Sequence, residues 1–173
     1  MNQPDSLDPS NVERLWAPHR AEYLDNQAGT YDAENCPFCL ESSGQSDEQL
    51  IIHRGDSAFA VLNKFPYSTG HLLICTNRHV ALYDELTVQE SDEISLLTKQ
   101  AMISLRKVTG AQGFNIGMNQ GAVSGAGIAG HLHQHVVPRW PADSNFMPII
   151  AHTKVMPELL TDTRSKLLEI WGK

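Results

Sequence analysis

The 173-residue chain contains no unbroken apolar stretch of about 18 residues, so it offers no transmembrane helix and no membrane partner is expected. Its first residues, Met1-Asn2-Gln3-Pro4-Asp5, lack the basic and then apolar regions of a secretory leader, and a cytoplasmic location is expected. Basic residues are in deficit. Thirteen Lys and Arg against twenty Asp and Glu leave a net charge of −7, which argues against a duplex nucleic-acid partner. A mononucleotide is not excluded, because it needs only a local positive site. Cysteine is scarce as well: there are three, two of them in Cys36-Pro37-Phe38-Cys39, too few for a disulfide framework. A metal or redox pair in a reducing compartment fits better. There is no internal repeat. What remains is ordinary globular composition, 41% hydrophobic and 19% charged, in a chain of one-domain length. Residues 1–9 read as a flexible arm and 10–173 as a single domain.

Local patterns order the chain. Ser10-Asn11-Val12-Glu13 reads as a capping box opening a helix to about residue 25. A loop, a Cys-x-x-Cys turn and a polar loop over 41–48 follow. Residues 49–54 and 57–62 read as strands joined at Gly55-Asp56, and 71–75 as a strand buried on both faces. Thr87-Val88-Gln89-Glu90 is a second capping box; Ile94, Leu97, Ala101, Leu105 and Val108 then form one helix face ending near Gly110. Residues 113–119 alternate as a strand does. Pro157 suits the first turn of a C-terminal helix through Trp171. Strands with a central and a terminal helix predict an α+β domain on an antiparallel sheet.

The chemistry concentrates in Gly130-His131-Leu132-His133-Gln134-His135-Val136-Val137-Pro138-Arg139. In an extended strand the period of two puts His131, His133 and His135 on one face, neighbours ~7 Å apart at Cα. A chance row of solvated histidines is a poor alternative, because the spacing is regular and flanking residues are apolar. The segment is fed by a loop holding Gly117, Gly121, Gly125, Gly127 and Gly130 and no charged residue. Alone, such a loop would be a flexible connection; beside the histidines it reads as a phosphate-binding loop, with backbone N–H groups and the Ser124 hydroxyl as donors. Cys36 and Cys39 have zinc spacing and need two further ligands, for which His79 and His131 are candidates. His71, opening the buried strand, is as well read as a core histidine as a catalytic partner. Cys75 belongs to the core, and His19, His53 and His152 read as surface residues. Two chemistries suit the triad: a catalytic zinc on three histidines, or a histidine nucleophile with the others positioning phosphate oxygens. The uncharged glycine loop favours the second.

His131-Leu132-His133-Gln134-His135-Val136-Val137 resembles the signature of the histidine-triad family, in which histidines alternate with apolar residues. Leu62-Asn63, Gly70-His71-Leu72-Leu73, Gly113-Phe114-Asn115 and Pro138-Arg139-Trp140 extend the resemblance over about two thirds of the chain. Arg14-Leu15-Trp16 and Asn145-Phe146-Met147 look most like the bacterial branch with diadenosine tetraphosphate phosphorylases and related hydrolases. The resemblance implies a sheet of about five strands, a homodimer with joined sheets, and nucleotidyl transfer on a purine nucleotide or dinucleoside polyphosphate. His133 would attack the α-phosphorus, a carbonyl near His131 would hold its Nδ1–H, and His135 would stabilise charge, with His71 beneath. Ser124, Gly125 and Gly127 would cover phosphates, and Asn63 and Asn115 the nucleoside side. Cys36, Cys39, His79 and His131 would hold a structural Zn2+. A nucleotide-binding module without chemistry is the competing expectation. Two residues depart from the pattern: Gln134 at an apolar position, and Gly127 where several members place a glutamine or serine.

Overall fold

The computed structural model describes residues 32–44, 50–143 and 156–173. The expected arm over 1–9, the helix over 10–25, His19, His152, the 145–147 stretch and most of the loop after residue 44 lie outside the described residues.

Eight main elements follow in order: α1 Pro37–Ser42, β1 Ile51–Arg54, β2 Ala58–Leu62, β3 Leu72–Thr76, α2 Val88–Thr109, β4 Gly113–Met118, β5 His133–Arg139 and α3 Leu160–Ile170. The strands form one antiparallel sheet in the order β1-β2-β3-β5-β4. Every residue of β2 and β3 is buried, because both sheet faces are covered. Ala58, Ala60, Leu62, Leu72 and Ile74 pack with Ile94, Leu97, Ala101 and Leu105 of α2. Phe59, Val61, Leu73 and Cys75 point the other way and pack with Cys36 and Phe38 of the Cys-x-x-Cys segment. The unbroken apolar run of β3 thus serves two cores.

Helix α2 begins and ends where local chemistry directs. The Thr87 hydroxyl accepts from Glu90 N (3.2 Å), while Thr87 N donates to the Glu90 carboxylate (2.8 Å), a complete capping box. It stops at Gly110, whose φ of +66° an L side chain rarely adopts. Three expectations need correction. The Cys-x-x-Cys segment is not a turn but the start of α1, with Pro37 in the first position, where its missing N–H leaves no bond unmade. Pro157 lies two residues before the Leu159 N-cap of α3 rather than in its first turn. Strand β5 begins only at His133, because Leu132 N donates to Val80 O (2.6 Å) and ties the chain to the segment after β3.

Candidate functional site

The late start of β5 divides the histidine row. His131 sits before the strand, buried at 1% exposure, and its Nε2–H donates to Thr76 O (2.8 Å). That bond leaves Nδ1 with a lone pair, 3.4 Å from both Cys36 Sγ and Cys39 Sγ. Cys39 Sγ lies 3.2 Å from His79 Nδ1, and one donor atom from each of Cys36, Cys39, His79 and His131 falls within 4.8 Å of the others. Zinc–sulfur and zinc–nitrogen bonds at a tetrahedral angle require sulfur-to-nitrogen separations of ~3.6 Å, so the set has the spacing and chemistry of a closed four-ligand site. Burial holds the His131 pKa down to about 4, so the ring is a neutral donor. Burial, with the Cys36 thiol beside it, pushes Cys39 up to about 11, a value that a bound cation would reverse.

His133 and His135 share one face of β5, their ring centroids 5.1 Å apart, on the side of the sheet away from α2. His133 Nδ1–H donates to the carbonyl of His131 (2.8 Å), which leaves Nε2 with a lone pair. Burial lowers its pKa, keeping it neutral, and the Phe38 ring lies 5.0 Å away. His71, fully buried, continues the set from the residue just before β3. Tyr67 N donates to His71 Nδ1 (3.0 Å), so His71 carries its proton on Nε2 and donates it to His135 Nδ1 (2.9 Å). His135 is thereby left with a donor at Nε2. The arrangement offers a lone pair on one imidazole and an N–H on its neighbour. Three histidines around one catalytic metal, the other chemistry open to the triad, does not match it, because His131 faces the thiols and His133 uses Nδ1 on a carbonyl.

The remaining predicted positions are spread more widely. Asn63 lies against His71, its Nδ2 3.3 Å from Nδ1 and its oxygen accepting from Phe65 N (3.0 Å), so its amide is engaged in the β2–β3 connection. Asn115, on β4, lines an open cleft of about 470 Å³ together with His135. Ser124 turns its hydroxyl onto Gly121 O (2.7 Å), and Ser124, Gly125 and Gly127 are not part of the cleft lining. Tyr67 and Asn119 also line the cleft, though neither was singled out in the sequence, and Arg139, quoted there only for the resemblance, closes the set. They come together only once β4 pairs with β5 and the β2–β3 connection folds beside them. Gln134, the residue that breaks the apolar alternation, faces α2, where its Nε2 donates to Thr98 Oγ1 (2.6 Å). Thr98 in turn donates to Ile94 O (2.7 Å), which explains how a polar side chain sits on that face.

Residues 43–142 match the HIT domain. The chain belongs to the histidine-triad family. An AP-4-A phosphorylase of Mycobacterium tuberculosis is 39% identical over 94% of this chain and 86% of its own length. An asymmetrical bis(5'-nucleosyl)-tetraphosphatase of Schizosaccharomyces pombe is 29% identical over 54% of this chain and 50% of that one. Among solved structures, a zinc-bound histidine triad family protein from Mycobacterium smegmatis superposes with a TM-score of 0.65 at 19% identity, covering 80% of this chain and 94% of that chain. The antiparallel five-stranded sheet is therefore the histidine-triad fold, and the Cys-x-x-Cys is part of it here.

Proposed function

We propose that this histidine-triad protein is a nucleotidyl hydrolase or transferase that cleaves diadenosine polyphosphates through a nucleotidyl-His133 intermediate. One observation carries the reading: His133, its Nδ1–H held by the His131 carbonyl, presents a neutral Nε2 beside His135, whose own proton the His71 bond fixes on Nε2. Nε2 forms a bond to the α-phosphorus as the bond to the bridging oxygen breaks, and the leaving polyphosphate departs with that electron pair. The His131 carbonyl steadies the imidazolium, and His135 donates to a non-bridging oxygen as charge develops. Water or inorganic phosphate then displaces His133 from phosphorus. The phosphorylase named among the relatives, similar along nearly the whole chain, favours phosphate as acceptor. Ser124, Gly125 and Gly127 supply donors to the other phosphates through their loop, and Asn63 and Asn115 serve the nucleoside side.

Cys36, Cys39, His79 and His131 hold a structural Zn2+ that ties α1 to the start of β5. Strand β4 is a sheet edge with Asn115, Ile116 and Gly117 exposed, and a homodimer pairing two such edges satisfies its free backbone groups. The protein is assigned to the cytoplasm, where thiols stay reduced.

Incubation with diadenosine tetraphosphate, with and without inorganic phosphate, tests the reading by mass spectrometry of the products. ADP plus ATP, formed only with phosphate, identifies a phosphorylase, and AMP plus ATP a hydrolase. Nucleotide binding without any product returns the chain to the binding-module alternative.

A further inference from the structure

Arg139 and Asp143 stand outside the histidine set, yet they define the far end of the cleft. His135, Val137 and Arg139 follow at a period of two along β5, so the cleft runs from His135 for about 13 Å of strand. Arg139 is clasped at that end. Its Nε and Nη2 donate to the two Asp143 carboxylate oxygens (2.6 and 2.8 Å), and Nη1 donates to Asn115 Oδ1 (2.6 Å). Two consequences follow. A guanidinium has only donors, so the amide oxygen of Asn115 must face it and the two Nδ2 protons are turned elsewhere, free of partners among the described residues. The Asp143 charge also cancels that of Arg139, so the far end is rich in donors but carries no net charge.

An uncharged, donor-lined end is a poor receptor for a phosphate terminus. Along the way the cleft is walled by Val137, and Tyr67 contributes an exposed ring parallel to His135 (17°, 5.6 Å between centroids). Aromatic face, aliphatic wall and oriented amide together fit a neutral heterocycle with acceptor atoms, and the volume lies in the range of small-molecule sites. We propose that this cleft receives the nucleoside of the leaving half of a dinucleoside polyphosphate, with Asn115 as its donor and Arg139 and Asp143 as positioning residues for Asn115. The assignment rests on the nucleotidyl-transfer reading above, and it makes the cleft the source of preference for dinucleotides over mononucleotides.

The test compares diadenosine tetraphosphate with adenosine 5′-tetraphosphate, which keeps the reacting phosphate and lacks the second nucleoside. For Asn115→Asp, which keeps size and removes the donors, kcat/KM for the dinucleotide should fall about tenfold, with the change in KM, and by a factor several times larger than for adenosine tetraphosphate. Asp143→Asn, which loosens the clasp without touching the cleft wall, should shift the same ratio in the same direction by a smaller factor. Equal losses on both substrates, or an unaltered ratio in both variants, overturn the assignment alone. Failure of the unaltered protein to turn over either substrate overturns the nucleotidyl-transfer reading and the assignment with it.

Discussion

His131 and His133 are two residues apart and belong to one sequence signature, yet they serve different ends of the molecule. His131 is turned by Thr76 toward Cys36 and Cys39, where its lone pair joins a closed donor set. His133 has its Nδ1–H held by the His131 carbonyl, which leaves Nε2 with a lone pair on the sheet face it shares with His135. The hydrogen bond on one ring nitrogen decides what the other nitrogen can do. In the proposed function His131 is one of four metal ligands that contribute rigidity, and His133 a nucleophile that contributes chemistry. Substitutions should therefore separate stability from turnover along a single strand.

The sharpest break in that comparison is at the catalytic end. His133→Asn should lower kcat on diadenosine tetraphosphate by at least about 10⁴-fold, while the melting temperature and nucleotide binding change little. Retained turnover would place the chemistry elsewhere. At the other end, Cys36→Ser should lower the zinc content measured by elemental analysis and cost about 3–5 kcal/mol of stability, or ~6–20 °C in melting temperature. If Cys36→Ser instead abolished turnover at an unaltered melting temperature, the two ends would not differ as described.

A smaller effect concerns the support of His79. Arg78 pairs with the buried Glu90 carboxylate (2.8 Å), and this contact with the Thr87 bonds holds the Glu90 pKa down to about 2 from 4.5. The folded value lies below the unfolded one, so the contribution is complete above about pH 4.5 and fades as pH falls toward 2. Urea titrations across that window should show the parent losing about 2 kcal/mol more than Glu90→Gln does. Parallel curves would remove Glu90 from the account. The least effect is expected behind the strand: Gln134→Leu, which exchanges the Thr98 bond for apolar contact with α2, should shift stability by less than about 1 kcal/mol and leave kcat unchanged.

Gln134 also shows where reading from sequence stops. Its partner Thr98 lies 36 residues earlier on α2, and nothing local to Gln134 announces it. The same holds for His71 and His135, 64 residues apart, whose shared proton fixes both tautomers. By contrast, the capping box and face of α2, the doubly buried β3 and the zinc-like spacing of Cys36 and Cys39 depend on near neighbours and were legible directly. Pro37 misled in a simple way, since a proline between two cysteines suits a turn as well as a first helical position. Tyr67, Asn119 and Arg139 became visible as one cleft only after β4 and β5 were paired.

The central claim is that Nε2 of His133 forms a covalent bond to phosphorus. A reaction with diadenosine tetraphosphate, quenched during turnover under conditions that preserve phosphoramidates and read by peptide mass spectrometry, tests it directly. The account predicts one adenylyl adduct, on the peptide spanning His131 to His135 and absent from His133→Asn. Turnover without any adduct in a time course that resolves a single cycle, or an adduct that persists in His133→Asn, would contradict it.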